Sequence, residues 1–326
     1  MGVTVAVTGP TGEIGLAAVT ALERDPAVDR IIGMARRPFD PSTHGWTKTT
    51  YRQGDILDRD AVDALVADAD VVVHLAFIIM GSREESSRIN LAGTRNVFEA
   101  TVAAERPRRL VFTSSVAAYG YHPDNPVPLT EDVPTRGSPE HYYSAQKAAC
   151  EAVLVELTAG SSLEVFILRP CIVAGPHAKV LADTMPWHRL PAPVRVAMRV
   201  VPILKPVLPD PGYPLQLVHH DDVAAAIALA ATSPAPPGAY NIAGDGVITL
   251  SDVATALGGR GVRVPTAAAT AASAVIAKMP CVPSALEWIN VARTSMVMDT
   301  SKAKTKLGWQ PTYSSAETLQ ALAEAL

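Results

Sequence analysis

The run Val3–Thr8 (VTVAVT) is short, apolar and rich in β-branched residues, and it breaks at once into Gly9-Pro10-Thr11-Gly12-Glu13-Ile14-Gly15. A run of this kind reads as a buried strand. Apolar residues at helical spacing follow as far as Leu22. Strand, glycine-rich turn and helix in that order leave few folds open. Glycines there allow a tight turn and let bare backbone approach a pyrophosphate resting on the helix N-terminus. An ordinary glycine-rich turn would need no such placement between a first strand and a helix. Gly9, Thr11, Gly12, Glu13, Ile14 and Gly15 are therefore expected to contact a dinucleotide.

The alternation continues. Arg30–Ala35 reads as the second strand, and in an NAD site its end usually carries an acidic residue for the ribose 2′-hydroxyl. Ala35 stands there instead, followed by Arg36 and Arg37. A guanidinium can neutralise a 2′-phosphate, and the missing carboxylate removes the repulsion against it. The pair favours NADP(H) over NAD(H), with a solvated loop pair as the plain alternative. Gln53–Ile56 closes a third strand. Asp55 and Ile56 are placed to meet adenine, unless Asp55 caps the helix that starts near Asp60. Val71–Leu75 is a continuous apolar run, as a parallel strand buried on both faces requires. Small residues after it, Leu75 and Ala76 being the expected contacts, let a cofactor lie against backbone; His74 reads as a packed strand residue. The fold expected is α/β, a Rossmann-type doubly wound parallel sheet with a smaller C-terminal substrate part.

The chain has 326 residues, 48% hydrophobic and 18% charged, which supports a sizeable core and argues against disorder. A net charge of −4 gives no footprint for nucleic acid or an anionic membrane. The N-terminus enters a strand without a signal-peptide pattern, and the Ala-rich stretch Pro265–Ala277 meets Lys278 and Pro280 too soon to cross a bilayer. Cys150, Cys171 and Cys281 fit neither a disulfide framework nor metal-ligand spacing. A cytoplasmic protein with reduced thiols is expected.

Two features carry chemistry. Arg109–Thr113 reads as the fifth strand and delivers Ser114 and Ser115 at its C-terminal end, the edge where open parallel sheets bind ligands. Later, Tyr143 and Lys147 stand four residues apart in a helical pattern and share a face. To act as a base near neutrality, the phenol must fall from about 10 toward 7, a differential stabilisation of about 4 kcal/mol. A neighbouring ammonium favours the phenolate and is expected to supply much of it. Ser86–Glu105 reads as a helix interrupted at Asn90 and Asn96.

TGPTGEIG, GDI, HLA, Asn90 in INLAGT, TSSVAAYG, Tyr143-x-x-x-Lys147, Arg169-Pro170 in ILRPCIVAGP, and VHHDDVA follow in order from Val3 to about Tyr313. This set resembles the extended short-chain dehydrogenase/reductase family, which includes the NAD-dependent epimerase/dehydratases. The resemblance implies Tyr143 as general acid/base, Lys147 as the residue that holds the nicotinamide ribose and lowers the tyrosine pKa, and Ser115 as the donor to the substrate oxygen. It implies Asn90 as support for a proton-relay water, Pro170 as a cofactor contact, and possible homodimerisation through the helices of Asn90 and Tyr143. The chemistry implied is hydride transfer at a secondary alcohol or ketone of a small molecule. Val116 and Ala117 stand where a dehydratase would place an acidic pair, so dehydration is disfavoured while nucleotide-sugar epimerisation remains open. Gln146 replaces the serine that often precedes the lysine, and is expected to point away from Tyr143.

The division expected is a nucleotide domain over 1–175, with 217–243 returning to it, and a substrate part over 176–326. The region from His177 to Gln216 is proline-rich and apolar, with Arg189, Arg195, Arg199 and Lys205 at near-helical spacing. It reads either as an amphipathic helix with solvated arginines or as a lid over an apolar substrate. Val218–Asp222 (VHHDD) invites a metal reading, but neighbours on one strand face opposite ways; no metal is expected, and Asp222 is expected in a cap.

Overall fold

A computed structural model describes residues 2–79, 83–185, 187, 190–191, 205–265 and 294–326. Its centre is a seven-stranded parallel sheet in the order β10-β6-β5-β4-β1-β2-β3. The strands are β1 (Val3–Thr8), β2 (Val28–Ala35), β3 (Thr49–Gln53), β4 (Val71–His74), β5 (Arg109–Thr113), β6 (Glu164–Pro170) and β10 (Gly238–Ile242). The strand order reverses on either side of β1, so a crevice opens at the carboxyl ends of β1 and β4.

The pleat sends successive side chains to opposite faces, and both faces are buried. Val5, Val7, Val73, Val111, Phe166 and Tyr240 pack on one side against Ala18, Val19 and Leu22 of α1 (Glu13–Arg24). Ala6, Ile32, Val72, Leu110 and Phe112 pack on the other, against α2 (Arg59–Val66), α4 (Thr94–Ala103) and α5 (Tyr142–Thr158). Burying each such valine, leucine or phenylalanine contributes roughly 1.5–3 kcal/mol.

The helix expected over Ser86–Glu105 is broken where Asn90 stands. A short α3 (Arg83–Ser87) passes into a π-helical turn over Arg88–Gly93, and α4 follows. α2 is capped by Asp58, whose carboxylate accepts from the N–H groups of Asp60 and Ala61; Asp55 instead accepts from Leu57 N–H in the preceding turn.

Three-residue β7 (Ile172–Ala174) and β9 (Leu217–His219) pair with each other outside the main sheet, and β8 (Val207–Asp210) pairs with β11 (Arg260–Arg263). Between them α6 (Val180–Asp183) and α7 (His220–Thr232) complete the chain's return, before β10 joins the sheet beside β6. The expected amphipathic segment with Arg189, Arg195 and Arg199 lies outside the described residues, as do Cys281 and Trp288. A final helix, Ser315–Glu324, carries a Ser314/Glu317 capping box. Among the described residues no helix is long and apolar enough to cross a membrane, and Cys150 and Cys171 are free and buried.

Candidate active site

The glycine turn is built as its position requires. Gly9 has φ +75°, and a Cβ there would fall 2.8 Å from Ala76 N; a Cβ on Gly15 would fall 2.1 Å from Gly9 O. β1, β4 and α1 can therefore meet only through bare backbone. Gly12 is the N-cap of α1 and offers no side chain to its first N–H groups. Those donors are left for an anion.

Two cavities adjoin this turn. The smaller is lined by Gly9, Thr11, Gly12, Arg36, Arg37, Asp55, Ile56, Leu75 and Ala76, among others. The Tyr51 hydroxyl shares its proton between the carbonyls of Ala35 and Arg37, which line this cavity. The larger, about 400 Å³, is lined by Glu13, Ile14, Gly15, Leu75, Ser115, Tyr143, Lys147 and Pro170. Of the residues expected to bind the cofactor or take part in catalysis, Asn90 alone lines neither. Its amide accepts from Ile78 N–H and donates to Ile78 O and to Gln146 Oε1, each at 2.8 Å. Asn90 thus fixes the segment after β4 against α5, with Gln146 bonded to Asn90 and to Ser86 Oγ.

Ser115 ends the extended segment after β5 and accepts from Ala117 N–H at 3.2 Å. The Tyr143 phenol lies near the Ser115 hydroxyl, which favours its ionised form. Lys147, one helical turn on, donates to Thr113 O at 2.9 Å. Its Nζ lies 3.5 Å from the centre of the Phe77 ring and 5.8 Å from that of Tyr143. Burial pushes the Tyr143 phenol up to about 12, opposed by the nearby Ser115 hydroxyl, and pushes Lys147 down to about 8. This corrects the expectation that the ammonium lowers the phenol: in the protein alone, desolvation wins and Tyr143 keeps its proton. Thr113 Oγ1 also lines the cleft, buried and without a hydrogen-bond partner.

Beneath Ser115 lies a buried ionic network. Arg169 is 2.7 Å from Glu151 and donates to Tyr119 OH at 2.8 Å; Ser114 Oγ donates to the same carboxylate. Desolvation opposes the guanidinium charge, but Glu151 outweighs it and holds Arg169 firmly protonated. His74 is buried between Thr8 and Thr94, and burial lowers it to about 3, so it is a neutral packing residue.

Sequence reasoning passed over Phe77, Tyr121 and His141, which all line the larger cleft. Phe77 meets Tyr143 edge-on, with ring centres 5.7 Å apart. The signal for it was its place directly after the small residue that ends the β4 segment.

The sequence model described as the NAD dependent epimerase/dehydratase family matches residues 5–243. The chain belongs to this family. Its parallel sheet and glycine turn belong to an NAD-dependent enzyme of this family. The uncharacterised protein y4nG of Sinorhizobium fredii is 27% identical over 96% of this chain and 76% of its own length. Human 3 beta-hydroxysteroid dehydrogenase type 7 is 30% identical over 202 residues, 54% of this chain and 52% of its own. Among solved structures, a mutant UDP-glucuronic acid 4-epimerase of Bacillus cereus, in complex with a UDP-sugar and NAD, aligns with a TM-score of 0.71. It covers 99% of this chain and 98% of its own at 20% identity, so it speaks for the shared family fold.

The VHHDD stretch departs from the reading of the sequence. β9 ends at His219 and α7 begins at His220, so the strand alternation that would separate neighbouring side chains stops there. One donor atom from each of His219, His220 and Asp221 lies within 4.8 Å of the other two. The cap residue of α7 is His219, while Asp222 accepts from Thr312 N–H and Tyr313 N–H and so ties α7 to the segment before the last helix.

Proposed function

We propose that this chain is an NADP(H)-dependent oxidoreductase that interconverts a secondary alcohol and a ketone in a small, rather apolar substrate. The observation that carries the reading is the cleft itself: a hydroxyl–phenol pair with a buried ammonium nearby, at the floor of a space walled by apolar side chains. Phe77, Ile79, Ile172, Val173, Leu181, Leu215 and Met296 form that wall. Among the described residues Lys147 is the one ammonium or guanidinium lining it, where a nucleotide sugar would call for cations against its diphosphate.

A dinucleotide fits the residues present. The uncapped start of α1 would take the pyrophosphate, Asp55 and Ile56 the adenine, Arg36 and Arg37 the 2′-phosphate, and Lys147 with Tyr143 the nicotinamide ribose. When bound, the nicotinamide supplies the hydride chemistry. Ser115 donates to the substrate oxygen and holds it against Tyr143. Tyr143, protonated at neutral pH, gives its proton to that oxygen as charge develops on it, and takes it back in the oxidative direction. The protein's contribution is orientation, exclusion of water and a proton at a fixed point.

Support for the apolar substrate also comes from the human relative, which is named for a hydroxysteroid. Nucleotide-sugar epimerisation is the second reading, favoured by the solved epimerase with its UDP-sugar and NAD. The test is a panel of hydrophobic ketones and UDP-sugars, each with NADPH, with NADH and with neither added. Consumption of added NADPH on ketones is expected. Interconversion of a UDP-sugar with no added cofactor, and none of the ketones reduced, would overturn the proposal.

A further inference from the structure

The turn between β9 and α7 holds a second cluster of chemically able side chains, apart from the Ser115–Tyr143 pair. His220 Nδ1 lies 2.9 Å from one oxygen of Asp221, and His219 Nδ1 lies 3.6 Å from the other. One donor atom from each of the three lies within 4.8 Å of the other two, a spread that small side-chain shifts bring to the roughly 3.3 Å edge of a tetrahedron with metal bonds of about 2.0–2.1 Å. We propose that His219, His220 and Asp221 bind one divalent transition-metal ion, zinc being the type, at this turn.

Three observations point to a ligand rather than to chance proximity. First, His220 is only 2% exposed, and its Nδ1 makes no aligned hydrogen bond despite the close carboxylate. Buried ring nitrogens are normally satisfied, and a cation shared with Asp221 would satisfy this one. Second, the rings are seated against bare backbone. Gly175 has φ +137°, and a Cβ there would fall 2.7 Å from His220 Cδ2 and 3.0 Å from His219 Nε2. Third, the ring orientations are fixed from outside the cluster. His219 stacks on Tyr313 with centres 4.0 Å apart, and Asp222 anchors the same segment through Thr312 N–H and Tyr313 N–H. Such outer contacts are what hold metal ligands in place.

The donor set selects the ion. Two imidazoles and one carboxylate suit zinc, cobalt or nickel, whereas magnesium and calcium want oxygen alone. His219 Nδ1 now accepts a long, 3.3 Å bond from Asp221 N–H, which an ion would replace. The His177 ring is centred 5.3 Å from that of His220. Glu13, at the start of α1, accepts from Lys179 N–H, and His220 Nε2 accepts from His177 N–H, so an ion here would sit near the glycine turn of the nucleotide site. The competing occupant is a proton, which would make His220 and Asp221 a simple ion pair.

The experiment uses untagged full-length protein stripped with EDTA. Zinc is titrated calorimetrically, cobalt by its visible absorption, and thermal midpoints are read with and without zinc. One ion per chain, a raised midpoint and cobalt bands of a tetrahedral nitrogen–oxygen site are expected. Asp221→Asn changes a side chain that is 60% exposed and should fold normally. It and His220→Gln should each weaken zinc by at least about tenfold. No binding at about 1 mM zinc, or unchanged affinity in either folded variant, would overturn the proposal and leave the proton as the occupant.

Discussion

The Lys147 ammonium stands 3.5 Å from the centre of the Phe77 ring and makes its hydrogen bond to Thr113 O, not to Tyr143. A cation over an aromatic face, deprived of water, is held in place while its charge is penalised. Lys147 therefore titrates near 8 rather than its ordinary 10.5. Between those values the unfolded chain keeps a proton that the folded chain has lost, so stability should rise as pH climbs through that window. Lys147→Met removes the effect. The stability of the wild type relative to that variant should rise by on the order of 3 kcal/mol from pH 7 to beyond pH 10. Denaturant unfolding at several pH values measures it; a pH-independent difference would contradict the buried charge.

Tyr143→Phe removes the proton but keeps the ring that meets Phe77 edge-on. Turnover should fall by about 10²-fold or more with nucleotide affinity nearly unchanged. Ser115→Ala should lower turnover too. Single-turnover kinetics beside a fluorescence titration of NADPH separates chemistry from binding; full activity in Tyr143→Phe would remove the phenol from the reaction.

Arg36 and Arg37 line the smaller cavity beyond Ala35, where no carboxylate stands at the end of β2. A charge-assisted bond to a 2′-phosphate contributes about 1.5–3 kcal/mol. Arg36→Ala should therefore weaken NADPH about tenfold or more and leave NADH nearly untouched. Equal losses for both nucleotides would refute the contact.

Glu151 and Arg169 form a buried pair, 4% and 7% exposed, under the Ser114–Ser115 segment. Removing one partner leaves the other charge stranded. Glu151→Ala should cost about 3–5 kcal/mol of stability, more than Arg136→Ala at the exposed Arg136–Asp124 pair, which should cost about 1 kcal/mol or less. Chemical denaturation of the two variants makes the comparison.

Much was legible in the chain because the deciding interactions are local. Val3–Thr8 reads as a buried strand, a Cβ on Gly15 would collide with the turn at Gly9 and Pro10, and the Tyr143–Lys147 spacing places both on one turn of α5. The end of β5 then had to deliver Ser115 to the sheet's carboxyl edge. Tertiary structure decided what depends on partners distant in sequence. The π-helical turn spends the Asn90 amide on Ile78 and Gln146; the walls around Tyr143 raise its phenol where spacing alone promised to lower it. The break between β9 and α7 turns two histidines and an aspartate toward one another, though a strand would have parted them. Desolvation and pairing are sums over everything that packs around a group, and no window of sequence contains those neighbours.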